Sequence, residues 1–291
     1  MQFRSEITQA NTLAETGLVQ ETYEALRNIP FADYCDLQLN VPAEWKALRE
    51  FLPKMPSAED QKRWVGDHGP ALMRRSASLV RLYEYLSWRQ TGSGLNGKNI
   101  LDYGCGWGRV LRLLPYFANP NQIEGVDPMP DSLRICRESK IHSKVFPVSP
   151  RPDRFESPLF TSFDIVTIFS VFTHTPEWLT VDILKNCAAA TRKDGRVICT
   201  IRANNWLMVR NGHWPQNLLE RVQREYAEIG YSFISLRNSA GNSGLQEDLY
   251  GDTVMTIDYF RLLAERAGWK IEVCDRDPLE PFQICVMLAK I

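Results

Sequence analysis

The sequence has no surplus of charge: across 291 residues, 34 lysines and arginines face 35 aspartates and glutamates, a net charge of −1. Nothing at the level of the whole chain draws it to nucleic acid or to an anionic membrane, and neither is expected as a partner. Long hydrophobic runs are missing too; none approaches the roughly 20 residues that a spanning helix needs. Residues 1–10 are polar and hold no apolar signal-peptide core, so the expectation is a cytoplasmic protein. Internal repeats and low-complexity tracts are absent. The seven cysteines are odd in number and never spaced C-x-x-C, which argues against a disulfide framework and against a zinc site; no metal is expected. Cys136, Cys187, Cys199, Cys274 and Cys285 fall inside expected strands or helices and read as reduced, buried thiols. The one basic stretch, Arg74, Arg75, Arg81 and Arg89, fits the solvated face of an amphipathic helix.

What is present is enough apolar material for a full core, 44% of residues, arranged in two textures. Up to about residue 97 the pattern is helical. Ser57 with Asp60 three positions on is a capping box. Pro70 suits the first turn of a long helix in which Leu72, Leu79, Leu82, Tyr83 and Leu86 recur at helical spacing. Three glycines within 91–97 mark a boundary. Beyond it, short apolar runs at 99–103, 122–127, 144–148, 163–169 and 196–201 alternate with helical stretches at 108–117, 130–139 and 176–191. That alternation predicts βαβ units and a parallel sheet covered on both faces. Thr175, Pro176 and Glu177 form an N-cap, proline and acid sequence for the third of these helices. An interruption of about 50 residues, 203–252, holds one helix at 215–229 stopped by Gly230. A helix at 256–267 and strands at 269–274 and 282–289 finish the chain; the last two have too short a connection for a crossover and should pair antiparallel.

The sharpest signal is Asp102-Tyr103-Gly104-Cys105-Gly106-Trp107-Gly108-Arg109, a strand running into a loop with glycine at every second position and then into a helix. Glycines there allow positive φ and close approach of a ligand to the backbone, at the strand end where open α/β sheets bind ligands. A dinucleotide fingerprint would need a third glycine where Arg109 stands, and Asp102 would repel a pyrophosphate. The segment resembles motif I of the class I S-adenosylmethionine-dependent methyltransferases. The ammonium group at the amino-acid end of S-adenosylmethionine suits Asp102. About 20 positions on, at the end of the next strand, Asp127 is placed to accept hydrogen bonds from ribose hydroxyls, with Pro128 and Met129 beside the adenine.

The resemblance implies more. It implies a doubly wound seven-stranded sheet of order 3-2-1-4-5-7-6 with strand 7 antiparallel. Residues 1–97 become a helical extension or lid, and 98–291 the S-adenosylmethionine-binding domain. It places Phe169, Ser170 and Val171 along the cofactor and His174 at the mouth of the substrate cavity. His174 is a candidate general base for a hydroxyl acceptor, or the orderer of the loop before the helix. The glycines of 64–69, Gly66 above all, would let an N-terminal segment fold over the donor; an interhelical turn is the alternative. The proline-rich stretch 149–158 lacks the acid that many relatives offer the adenine amino group. Arg202, Asn205, Trp206 and Tyr250 are candidates for the acceptor, at loop positions where function concentrates.

The expected activity is methyl transfer to a small molecule, with oxygen favoured as the nucleophile because His174 offers a base. No Asn/Asp-Pro-Pro-Tyr/Phe motif follows the fourth strand and no Pro-Cys nucleophile appears, which argues against nucleic-acid methylation. A non-catalytic S-adenosylmethionine-binding protein and an NAD-dependent oxidoreductase are the rivals.

Overall fold

The computed structural model describes residues 3–151, 163–235, 248–276 and 279–291. The proline-rich stretch 149–158 lies mostly outside these residues, as does Pro278 of the last turn. The chain divides into two compact units, Met1–Pro147 and Val148–Ile291. Seven strands form one sheet in the order β3-β2-β1-β4-β5-β9-β8, and two more form a separate hairpin. Counting only the seven, this is the expected 3-2-1-4-5-7-6 order.

The first unit opens with helices α1 (Arg4–Glu15), α2 (Val19–Leu26), α3 (Phe31–Leu39), α4 (Lys46–Phe51), α5 (Ala58–Val65) and α6 (Gly69–Thr91). The Ser57 hydroxyl accepts from the Asp60 amide at 3.0 Å, as the capping-box spacing requires. Pro70 lies in the first turn of α6, and Gly92, in the left-handed region, ends it. Leu72, Leu79, Tyr83 and Leu86 are buried along that helix; of the basic stretch, Arg74, Arg81 and Arg89 lie on an exposed face, while Arg75 is half-buried and pairs with Asp67 at 3.6 Å. Strands β1 (Ile100–Tyr103), β2 (Ile123–Asp127) and β3 (Lys144–Pro147) follow, with α7 (Pro130–Glu138) joining the last two. Both pairings are parallel, with Asp102 opposite Gly125 and Asp127 opposite Pro147.

One expected helix is not there. Residues 108–117 run as successive turns ending in a 3₁₀ turn at Leu114–Tyr116. Bonds to the third and fourth preceding carbonyl alternate, as at Leu113 and Leu114, both of which donate to Val110. Gly108 opens the segment at φ +84°, and Pro115 supplies no amide in its middle. Apolar spacing cannot hold a regular helix against these two.

The second unit contains β4 (Phe163–Ile168), α8 (Glu177–Ala190), β5 (Thr191–Arg202), α9 (Leu207–Arg210), α10 (Gln216–Ile229), β6 (Tyr231–Ser235), β7 (Gly251–Met255), α11 (Ile257–Arg266), β8 (Trp269–Asp275) and β9 (Gln283–Lys290). Strand β4 pairs parallel with β5, and β9 runs antiparallel to both β5 and β8. Two expectations need correcting. Helix α8 is capped by Pro176 rather than Thr175, whose hydroxyl instead meets Thr180 at 2.9 Å. The second concerns the ends of the interruption: Arg202, expected at a loop position, is the last residue of β5, and β7 begins inside the expected interruption at Gly251 and pairs antiparallel with β6. Nearly every β7 side chain is buried, so the strand shows no alternation to mark it.

The described residues contain no disulfide; all seven cysteines are free, and all but Cys274 are buried. No helix of the described residues is long and apolar enough to cross a membrane.

Candidate functional site

In the first unit the chemistry gathers at the ends of β1 and β2. Gly104 and Cys105 both donate to the Val126 carbonyl, at 2.8 and 3.0 Å, so the glycine loop is laced to the neighbouring strand as it leaves β1. Gly104, Gly106 and Gly108 take φ of +75°, +55° and +84°, the left-handed region that side chains avoid. Asp127 closes the loop. One carboxylate oxygen accepts from the Gly106 amide at 2.9 Å and the other from the Met129 amide at 2.9 Å. Burial raises its pKa, opposed by those two amides. The buried Ser132 hydroxyl nearby also favours the charged form, yet it meets no partner at full hydrogen-bond geometry.

A methyl donor of the expected kind fits this cradle. A Cβ built on Gly106 would meet nothing within 4 Å, so the backbone is open to a ligand there. Asp102 and Asp127 are both buried, and two carboxylates at adjacent strand ends suit a cationic ligand rather than a pyrophosphate. Pro128 is half-buried, and Met129 offers an apolar side chain at the start of α7.

The other residues named for this loop serve mainly to hold it. Cys105 is buried, and its thiol is pushed well up, chiefly by its contact with Cys136 and by burial. Trp107 packs with Leu72 and Ile135 and lies under the Arg112 guanidinium at 5.0 Å. Arg109 Nε donates to Ser76 of α6 at 2.7 Å. Gly66 is exposed; it caps α5 at φ +71°, with its amide bonded to Lys62 of the same helix.

The second unit holds a separate polar cluster. At the end of β4, Phe169, Ser170 and Val171 are half-buried, and Ser170 sits at φ +58°. Such a conformation costs a non-glycine residue about 1 kcal/mol or more and is characteristic of functional turns. Thr200 Oγ1 accepts from its amide at 2.8 Å, and its hydroxyl meets Thr173 at 3.0 Å. Sequence reasoning passed over Thr200 and Thr173, whose partners lie 30 and 3 positions from them along the chain.

His174, four residues on, is tied on both ring nitrogens. Nδ1 lies 2.7 Å from the Gly251 carbonyl and must donate to it. Nε2 therefore carries the lone pair, and it accepts from Arg202 Nη2 at 3.0 Å. Arg202 also donates to Asp252 at 2.8 Å and to the Thr173 carbonyl at 3.1 Å. Its guanidinium lies 4.1 Å from the centre of the Trp206 ring, and Tyr250 stacks on His174 at 4.8 Å. So His174, Arg202, Trp206 and Tyr250 come together, with Asp252 beside Arg202 at 2.8 Å and His174 Nδ1 at 3.6 Å. Asn205 turns elsewhere, donating to the Pro281 carbonyl at 2.9 Å.

Burial pushes the His174 pKa down to about 4, helped by Arg202 and Arg210 and opposed by Asp252 and the Gly251 carbonyl. The unfolded chain takes up this proton below about pH 6.5 and the fold does not until about pH 4. The neutral ring's stabilisation is thus full above pH 6.5 and lost as pH falls, on the order of 3 kcal/mol over the whole window. Thermal unfolding followed between pH 6.5 and 5, above the ordinary carboxylate range, should show a falling midpoint. Burial lowers the His142 pKa to about 4 as well, so both rings contribute in this window. His174→Gln should about halve the slope; a slope as steep as the parent's would mean that the His174 ring is not held neutral.

A methyltransferase domain family profile matches residues 73–272, well over half of the chain. A ubiquinone biosynthesis O-methyltransferase of Bordetella pertussis is 30% identical over 175 residues, 55% of this chain and 68% of that protein. One from Ralstonia nicotianae is 28% identical over 153 residues, 50% of this chain and 61% of that protein. The chain thus spans under two thirds to just over two thirds of these curated relatives. A Clostridium acetobutylicum S-adenosylmethionine-dependent methyltransferase structure superposes with a TM-score of 0.50 at 10% identity, covering 79% of this chain and 95% of that one; it speaks for the fold. Sheet order, glycine loop and family profile agree, and the chain belongs to the class I S-adenosylmethionine-dependent methyltransferases.

Proposed function

We propose that this protein transfers a methyl group from S-adenosylmethionine to an oxygen of a small-molecule acceptor. The observation that carries the donor half is the Asp127 carboxylate, held by the Gly106 and Met129 amides beside open backbone. Oxygen as the nucleophile is supported by the relatives, which are named as O-methyltransferases.

Bound S-adenosylmethionine supplies an electrophilic methyl group on a sulfonium. The chain's own part is to hold, align and exclude water. Asp127 would take the ribose hydroxyls, Asp102 and the Gly104–Gly108 backbone the amino-acid end, and Pro128 and Met129 the adenine. Family resemblance assigns Phe169, Ser170 and Val171 to the cofactor as well. Arg202, Trp206 and Tyr250 would meet the acceptor, with Asn205 at the edge of that set. The helices of residues 1–97 would act as an extension of a methyltransferase domain at 98–291.

His174 can accept a proton only if Arg202 releases Nε2. We therefore place it as the neutral residue that positions Arg202 and Tyr250, not as the base. The acceptor hydroxyl gives its proton to water, and its oxygen takes the methyl group from the sulfonium, which leaves as the neutral thioether. Formation of S-adenosylhomocysteine should be followed with a panel of phenols and sugar alcohols, for the parent and for His174→Gln. Transfer to a hydroxyl is expected, with kcat falling less than about tenfold in the variant and KM rising. A fall of 10²–10⁴ in kcat would make His174 the base. Donor binding without transfer to any hydroxyl would leave a non-catalytic binding protein.

A further inference from the structure

The second-unit cluster holds more positive charge than it uses. Asp252 is its single carboxylate, and two guanidinium groups share it, Arg202 at 2.8 Å and Arg210 at 3.7 Å. His174 is neutral at pH 7, for burial and the two arginines hold its pKa near 4. The described cluster therefore carries a net charge of about +1 by formal counting. Arg202 spends its bonds inside, on Asp252, Thr173 and His174. Arg210 does not: among the described residues no hydrogen bond reaches its guanidinium, and its Nε is buried without a partner.

Arg210 is also presented, not merely left over. It ends the short helix α9, and its guanidinium lies 4.6 Å from the Trp206 ring and 5.6 Å from the Trp214 ring. The two indoles stand nearly at right angles, at 79°, and make a corner that fixes the planar group. The Arg210 side chain is 34% exposed, against 9% for Arg202 and 6% for Asp252, so of these three charged groups it is the one most open to a ligand. A guanidinium pre-set on aromatic faces, partly desolvated and with its fork unfilled, is suited to a two-oxygen anion.

Resting on the methyltransferase reading, we infer that the acceptor carries an oxyanion, a carboxylate or a phosphate, bound by Arg210 in the Trp206–Trp214 corner. Such a group would neutralise the surplus charge, and it would fix the acceptor by a point away from the hydroxyl that is methylated.

Calorimetric titration of the full chain with benzoate, phenyl phosphate and the neutral isostere benzamide tests this, with S-adenosylhomocysteine titrated into the same samples. At least one of the two anions should bind tenfold or more tightly than benzamide, and which one does names the oxyanion. Arg210→Gln should bring that ratio within about twofold, and Arg210→Lys, which keeps the charge but not the fork, should fall between. Equal binding of all three probes, binding of none, or a preference that survives in Arg210→Gln overturns the inference. Failure of S-adenosylhomocysteine to bind would instead sink the methyltransferase reading, so the two failures are told apart.

Discussion

Asp127→Ala is expected to weaken S-adenosylhomocysteine binding by at least a hundredfold while leaving the protein folded. The carboxylate does two things at once. It is the buried acceptor at the end of β2, and it anchors the glycine loop through the Gly106 amide and the start of α7 through the Met129 amide. A hydrogen bond to a charged group contributes roughly 1.5–3 kcal/mol, so losing a bidentate ribose contact alone accounts for about a hundredfold in affinity. The Gly106 amide borders open space, whereas the buried Met129 amide loses its acceptor, a cost of about 1–3 kcal/mol. Burial already disfavours the charge on Asp127, which offsets part of that cost. Asp127→Asn should fall between the parent and Asp127→Ala, since it keeps one oxygen acceptor but turns its amide NH2 toward a backbone N–H. Calorimetry measures the affinity, and a thermal melt of each variant shows whether the fold is kept. Unchanged affinity in a folded Asp127→Ala protein would remove Asp127 from the donor site and reopen the assignment of the whole loop.

The place of Asp127 at the end of β2 was legible from sequence because it is set locally: a strand, a fixed interval, an acid at the strand's end. The same holds for Ser57, Pro70 and Gly92, where one or two neighbours decide the conformation. The sheet order came from the alternation of elements and from a short final connection. What was not legible depends on distant pairing. Residues 251–255 are buried throughout and carry no alternation, and their partner β6 lies about 20 positions earlier. The Gly251 and Thr253 amides, bonded to the His174 and Thr173 carbonyls some 77–80 positions earlier, set the Gly251 carbonyl against His174 and the Asp252 carboxylate against Arg202. His174 itself stood out in the sequence, yet its tautomer is dictated by Gly251 and Arg202, 77 and 28 positions away. The helix expected over 108–117 failed for the opposite reason: apolar spacing was read over a segment whose glycine and proline overrule it.

Arg202→Met is the substitution expected to cost the most stability, and the cost should depend on pH. Replacing one member of a buried ion pair leaves the other charge without compensation, typically a loss of about 3–5 kcal/mol. Here Asp252, 6% exposed, loses its 2.8 Å partner but keeps Arg210 at 3.7 Å and the neutral His174, Nδ1 at 3.6 Å, so the low end of that range applies. Arg202 is also a principal reason, after burial, that His174 stays neutral. Its removal frees Nε2 and leaves the ring facing a carboxylate, so the His174 pKa must rise from its depressed value. Above pH 7 the variant should be destabilised by the full amount, about 3 kcal/mol or more, lowering the unfolding midpoint by roughly 6 °C. Near pH 5.5 His174 can take up a proton and pair with Asp252, so the difference from the parent should shrink. Adding Asp252→Asn to Arg202→Met should recover part of the loss at high pH and erase the pH dependence. A destabilisation equal at pH 5.5 and pH 8 would show that His174 and Arg202 do not share the Asp252 charge, and would undo the positioning role given to His174.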